Sequence, residues 1–197
     1  MSKKIITPEG TLSFPHLDVP VADTNEDGSP KGKPKYSLQI RWDKGTDLSA
    51  MQAAVIEAAV EKFGPKGATM VKTGQLKTPF RTDWEAKSMP EGTVYTNMRT
   101  EQQPGLALPW KDAATGKVAV LDPENHAEIK KIFYPGARVR VAATAYFYDV
   151  KTNKGITFGL NNIQKLGDGP RLDGRTAAQD EFEPTQELAP ADLTDLE

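Results

Sequence analysis

The chain has 197 residues, enough for one substantial core with appendages, and its hydrophobic share of 38% with 16 glycines and 15 prolines argues against an all-helical bundle. It contains no cysteine, which excludes a disulfide framework, thiolate zinc sites and cysteine nucleophiles. The net charge of −2 conceals an asymmetry, since residues 180–197 carry −7 and residues 1–179 carry +5, a division associated with polyanion binding.

In chain order, the N-terminus has no long apolar run behind its two lysines, and no stretch approaches membrane-spanning length, so the chain reads as soluble and unsecreted. Between Thr11 and Val21, Leu12 and Phe14 alternate, followed by Leu17, Val19 and Val21; Pro15 and Pro20 mark this as an edge or bulged strand. Asp23 to Pro34 is dense in turn formers and predicts an exposed, mobile loop. Lys35 to Trp42 then alternates cleanly, with Tyr36, Leu38, Ile40 and Trp42 toward the core and Lys35 and Arg41 outward.

A helix capped by Thr46 or Asp47 follows, with Leu48, Met51, Val55, Ala59 and Phe63 on one face and Gly64-Pro65 as its stop. Four prolines between Lys66 and Gly116 predict short strands and long loops there. A short helix is expected over Pro123 to Phe133, with Asp122 as its cap. Ala137 to Val150 is the longest strand signal, and Lys151 to Gly155 turns it into Ile156 to Leu166 as a hairpin. These elements predict a mainly β fold: an OB-like, partly open barrel with one internal helix and long loops over residues 1–167. A flexible acidic tail, disordered in isolation, is expected over 168–197.

Catalytic combinations are scarce. His16 and His126 lack zinc spacing and read as surface or capping residues; there is no nucleotide-cradling glycine loop and no Gly-x-Ser-x-Gly elbow. Asp23 and Asp27 sit in the predicted loop, a poor cage for magnesium. The expectation is therefore a binding protein, not an enzyme, with no cofactor and no metal.

Unpaired bases offer flat faces regardless of sequence, so a protein that holds them needs cations for phosphates and aromatic rings for stacking. A regular pleat in Ala137 to Val150 points Val139, Val141, Ala143, Ala145 and Phe147 inward and Arg138, Arg140, Ala142, Thr144, Tyr146 and Tyr148 outward. The outward set suits such a ligand, although an ordinary amphipathic strand with snorkelling arginines and surface tyrosines has the same pattern. Lys33, Lys35, Arg41, Phe80, Arg81, Tyr95, Arg99 and Trp110 complete the candidate contacts. In the tail, Asp180, Glu181, Glu183, Glu187, Asp192, Asp195 and Glu197 can occupy the same groove as a tethered competitor, or simply keep the chain soluble.

Gly10-Thr11-Leu12-Ser13-Phe14-Pro15, Gly32 to Leu38, the Tyr134-Pro135-Gly136 turn and, most specifically, Asn153-Lys154-Gly155-Ile156-Thr157-Phe158-Gly159-Leu160-Asn161-Asn162-Ile163-Gln164-Lys165 resemble the tailed-bacteriophage single-stranded DNA-binding protein family. The likeness spans roughly residues 8 to 185. It implies an OB fold that binds single-stranded DNA without sequence preference in phage replication or recombination, in the cytoplasm of the infected bacterial host. The plan is also similar to the T7-type phage proteins, whose acidic C-terminus competes with DNA and contacts replication partners. This chain departs from them by ending Asp195-Leu196-Glu197 and not in an aromatic residue, which weakens the partner-docking role more than the charge effect. A strand-annealing recombination mediator and a phage structural or assembly protein are the alternatives.

Overall fold

The two period-two runs of the sequence become the walls of a ring. A computed structural model describes residues 4–150, 153–172 and 174. Its strands are β1 (Lys4–Ile6), β2 (Gly10–Thr24), β3 (Pro30–Trp42), β4 (Val94–Thr100), β5 (Gly105–Lys111), β6 (Val118–Val120), β7 (Arg138–Val150) and β8 (Asn153–Gly167). Three helices accompany them among the described residues: α1 (Ser49–Phe63), α2 (Lys66–Lys72) and α3 (His126–Ile132).

β2 pairs antiparallel with β3, β3 with β4, and β7 with β8. β7 returns to β2 through Gly10↔Val139 and Thr11↔Arg138, and a single parallel pair, Arg99↔Gly159, joins β4 to β8 and closes the circle. Five strands closed in this way, with a helix ahead of the last hairpin, form an OB-type ring that is partly open and not a regular barrel. β1 extends the sheet beyond β7, while β5 and β6 extend it beyond β8.

The inward residues of β7 are those the pleat predicts: Val139, Val141, Ala143 and Ala145 are buried, and Phe147 packs edge-on against Phe63 of α1, with centroids 5.1 Å apart. Leu12, Leu38, Ile40, Trp42, Met98 and Phe158 join them. Each of the larger aliphatic and phenyl side chains contributes about 1.5–3 kcal/mol by leaving water. The two register shifts along the β7–β8 pair fall on the β8 side, at Asn161 and Leu166, so β7 keeps its faces. No helix among the described residues is long and apolar enough to cross a membrane.

Four expectations need correction. The polar stretch Asp23 to Pro34 is exposed, but it is mostly strand: β2 and β3 run on as a two-stranded arm, Asp23 opposite Lys31, with a turn at 25–29. Ladder hydrogen bonds along this arm satisfy the backbone even though no side chain there is buried. The alternation of β2 fails at Phe14, which takes φ 44° and turns outward, so that Leu12 and Leu17 both face the core.

Between the two expected helices a third, α2, appears. Gly64 ends α1 as expected, but the fixed φ of Pro65 suits a helix start, and α2 begins there with Gly67 close against the backbone of Ala59. α3 starts three residues later than the sequence suggests. Asp122 spends its carboxylate on the Glu124 amide, and Asn125 becomes the cap by accepting from the Glu128 amide.

Candidate nucleic-acid interface

Directly opposed residues of antiparallel strands share a face, so the register fixes what the outer wall of the ring presents. Ser37↔Arg99, Gln39↔Asn97 and Arg41↔Tyr95 place these side chains together on β3 and β4. Across the closure, Arg99 meets Gly159, Thr144 is opposite Gly159, and Tyr146 is opposite Thr157. One row thus runs across five strands, from Thr144 through Gly159, Arg99 and Ser37 to His16.

Arg99 of this row lines a hollow of about 360 Å³ together with Lys35, Arg81, Asn97, Tyr146 and Tyr148. A smaller hollow of about 120 Å³ adjoins it, shares Lys35 and Arg99, and adds Lys33. Six of the twelve residues expected from the sequence therefore surround one continuous groove. Arg81 reaches it because residues 77–83 are stitched to the sheet: Arg81 and Tyr95 exchange backbone hydrogen bonds of 2.8 and 3.0 Å, and the Thr96 hydroxyl donates to the Pro79 carbonyl at 2.9 Å.

Two glycines of the Asn153 to Lys165 segment make the groove possible. A Cβ on Gly155 would lie 2.3 Å from the Lys77 carbonyl, so only glycine lets the 77–83 segment cross β8 there. A Cβ on Gly159 would lie 3.2 Å from the Tyr146 ring, which rests against that bare backbone. Tyr146 is still 43% exposed, and burial of the rest pushes its phenol pKa up from the ordinary value.

The cations are held by weak partners. Lys33 and Lys35 each lie 3.7 Å from Glu101, and Arg99 lies 2.6 Å from Asp23, all on exposed side chains. Pairs of that kind are worth roughly 0–1 kcal/mol, so a phosphate can take the place of the carboxylate at little cost.

The other six expected residues lie elsewhere. Tyr95 is only 4% exposed; burial and donation of its hydroxyl to Asp83 at 2.8 Å both raise its pKa, and no ring face is open for stacking. Phe80 is half-buried edge-on to Phe158, 6.0 Å between centroids. Trp110 is 56% exposed on β5, away from the groove. Arg138 pairs with Glu9, and Arg140 donates to Gln164 at 2.8 Å beside a separate hollow of about 100 Å³.

Arg41 stays on the outer face, donating to Gln39 at 3.0 Å, and desolvation lowers its pKa from the ordinary value. Asn97, Thr157 and Gly159 were not singled out by sequence reasoning; the glycine spacing in the Lys154 to Asn161 run was the available signal. His16 and His126 are both exposed, and no cluster able to hold a metal occurs among the described residues. The tail carboxylates from Asp180 to Glu197 lie outside the described residues.

A partly open five-strand ring with cations and tyrosines gathered on one outer wall defines an OB-type module. The chain belongs to the family described as Enterobacter phage Enc34, ssDNA-binding protein, whose model matches residues 3–194. Among solved structures, the single-stranded DNA-binding protein from bacteriophage Enc34 is similar at TM-score 0.59 and 20% identity, over 91% of this chain and 90% of that one. The same phage protein in complex with ssDNA gives TM-score 0.62 and 23% identity, over 86% and 89%. The single-stranded DNA-binding protein gp2.5 of bacteriophage T7 gives TM-score 0.51 and 11% identity, over 96% and 100%. No curated protein matches the chain at the level of sequence.

Proposed function

We propose that the chain binds single-stranded DNA without sequence preference during phage replication or recombination, in the host cytoplasm. The observation that carries this reading is the gathering of Lys33, Lys35, Arg81 and Arg99 with Tyr146 and Tyr148 around one groove. Cations meet phosphates there, and Tyr146 offers a ring on which any base can stack, a scheme that needs no base-edge contacts. Membership of a family described as ssDNA-binding supports the same reading.

The acidic end is a second part of the proposal. Residues 168–172 fasten onto the ring: Asp168 accepts from the Tyr134 hydroxyl at 3.0 Å, and the Leu172 amide donates to the Pro135 carbonyl at 3.0 Å. The −7 segment from Asp180 to Glu197 is tethered beyond that point, at high effective concentration, and competes with DNA for the cations while remaining available to replication proteins.

Fluorescence anisotropy of a labelled oligo-dT is the direct test, because it reads the oligonucleotide itself and does not depend on where Trp42, Trp84 and Trp110 stand. Four engaged cations give a log–log salt slope of about −3. Deletion of residues 180–197 is expected to tighten binding at low salt and to change little at high salt. Absence of binding to a long oligo-dT at low salt refutes the reading; unchanged affinity after the deletion refutes only the role of the tail.

A further inference from the structure

Phe14 combines three properties that rarely coincide. Its backbone sits at φ 44°, a left-handed conformation that bulky residues avoid, and it precedes Pro15, which itself pushes the preceding residue toward extended backbone. The side chain is 64% exposed. The Arg41 guanidinium stands 5.7 Å from the ring centroid. The bulge between Ser13 and His16 explains why the chain turns outward here, since it lets Leu12 and Leu17 both reach the core. It does not explain an aromatic residue, because glycine would fill the same bulge without strain.

The position of the bulge supplies the missing reason. The row that begins beside Tyr146 ends on β2 at His16, two residues from Phe14. Four strand spacings separate β7 from β2 along that row, roughly 19 Å. The hollows along it are contiguous. The groove around Tyr146 shares Lys35 and Arg99 with the second hollow, which shares His16 and Val21 with a cleft of about 680 Å³ that Phe14 lines. Strain held at a binding surface persists only where the surrounding structure enforces it.

We infer that Phe14, steadied by Arg41, is a second base-stacking platform at the far end of the DNA track, so that one strand runs from Tyr146 across Arg99 and Lys35 to β2. This rests on the single-stranded DNA reading above and extends it to a surface that neither the groove nor the family description assigns. The ring supplies a flat face for a base, and Arg41 supplies both a cation–π partner and charge for the adjoining phosphate.

The test uses the full chain, Phe14→Gly and Phe14→Trp, and oligo-dT graded from about 4 to about 16 nucleotides, the range of site sizes for single OB modules. Phe14→Gly is expected to lower affinity for the longest oligonucleotide roughly 5- to 50-fold, to change affinity for the shortest less than about twofold, and to raise the melting temperature by releasing backbone strain. Phe14→Trp keeps the affinity. Two results overturn the proposal alone: wild-type protein that binds the long oligonucleotide while Phe14→Gly binds it equally well, or Phe14→Gly that loses affinity and thermal stability together, the mark of a packing role. Wild-type protein that binds neither oligonucleotide overturns the underlying reading as well.

Discussion

The two ends of β7 carry cations or rings on the same outward face, and only one end faces the groove. At the hairpin end Tyr146 and Tyr148 look onto Thr157 and Gly155 of β8, with Arg81 and Arg99 nearby. At the other end the surroundings are occupied: β1 pairs along 142–144, Glu9 neutralises Arg138, and Gln164 holds Arg140. That end also fastens the chain after β8, through Arg138↔Gly167 and the close approach of Gly169 to Gly136. A pleat fixes which side a residue faces, whereas the neighbouring strands decide whether that side is open, and so equal-looking residues divide into a binding end and a fastening end.

The sharpest way to break this comparison is to truncate one residue at each end. Tyr146→Ala is expected to cost about 1–3 kcal/mol of single-stranded DNA affinity, and Arg138→Ala almost none, measured by anisotropy at one salt concentration. The salt slope separates stacking from charge: Tyr146→Ala leaves it unchanged, while Arg99→Ala reduces it by about 1. Equal losses at Arg138 and Tyr146 would mean that the strand lies along β7 and not across the sheet.

A smaller effect is expected from the anions that share the binding end. Glu101 lies 3.7 Å from both Lys33 and Lys35, so Glu101→Gln frees two cations and removes a charge that repels phosphate. Affinity is expected to rise a few-fold at low salt, less than about 1 kcal/mol, and the gain to vanish as salt screens the pair. A loss of affinity instead would show that Glu101 holds the lysines in their binding positions.

How far the sequence reaches follows from the same contrast. Val139 to Phe147, Lys35 to Trp42 and the α1 face were legible because burial on one side imposes a period, and the register then follows. The arm at Asp23 to Pro34 was not, because a two-stranded ribbon whose side chains are all exposed has no apolar period to read. Neither was the assignment of Tyr95, since its burial depends on the 77–83 segment crossing β8 at Gly155, a contact between residues far apart in the chain. The groove itself was half legible: residue types named its ingredients, but only the closure Arg99↔Gly159 brings β4 and the β7–β8 hairpin onto one wall.

The smallest expected effect tests the fastening end by pH. Asp168 is held below the usual carboxylate value of 3.8, first by the hydrogen bond from Lys165 at 2.6 Å and then by that from the Tyr134 hydroxyl. A carboxylate whose pKa falls on folding contributes stability above its unfolded value, and that contribution disappears as pH drops through the lower, folded value. The side chain is largely exposed, so after solvent screening the contribution is at most about 1 kcal/mol, a few degrees in Tm. Asp168→Asn is therefore expected to melt slightly below wild type at pH 7, with the two curves converging as pH falls through the lowered, folded value. DNA affinity at the opposite end of β7 should stay the same throughout. An Asp168→Asn protein that melts normally but binds DNA differently would show that the two ends are coupled, and the division between them would have to be redrawn.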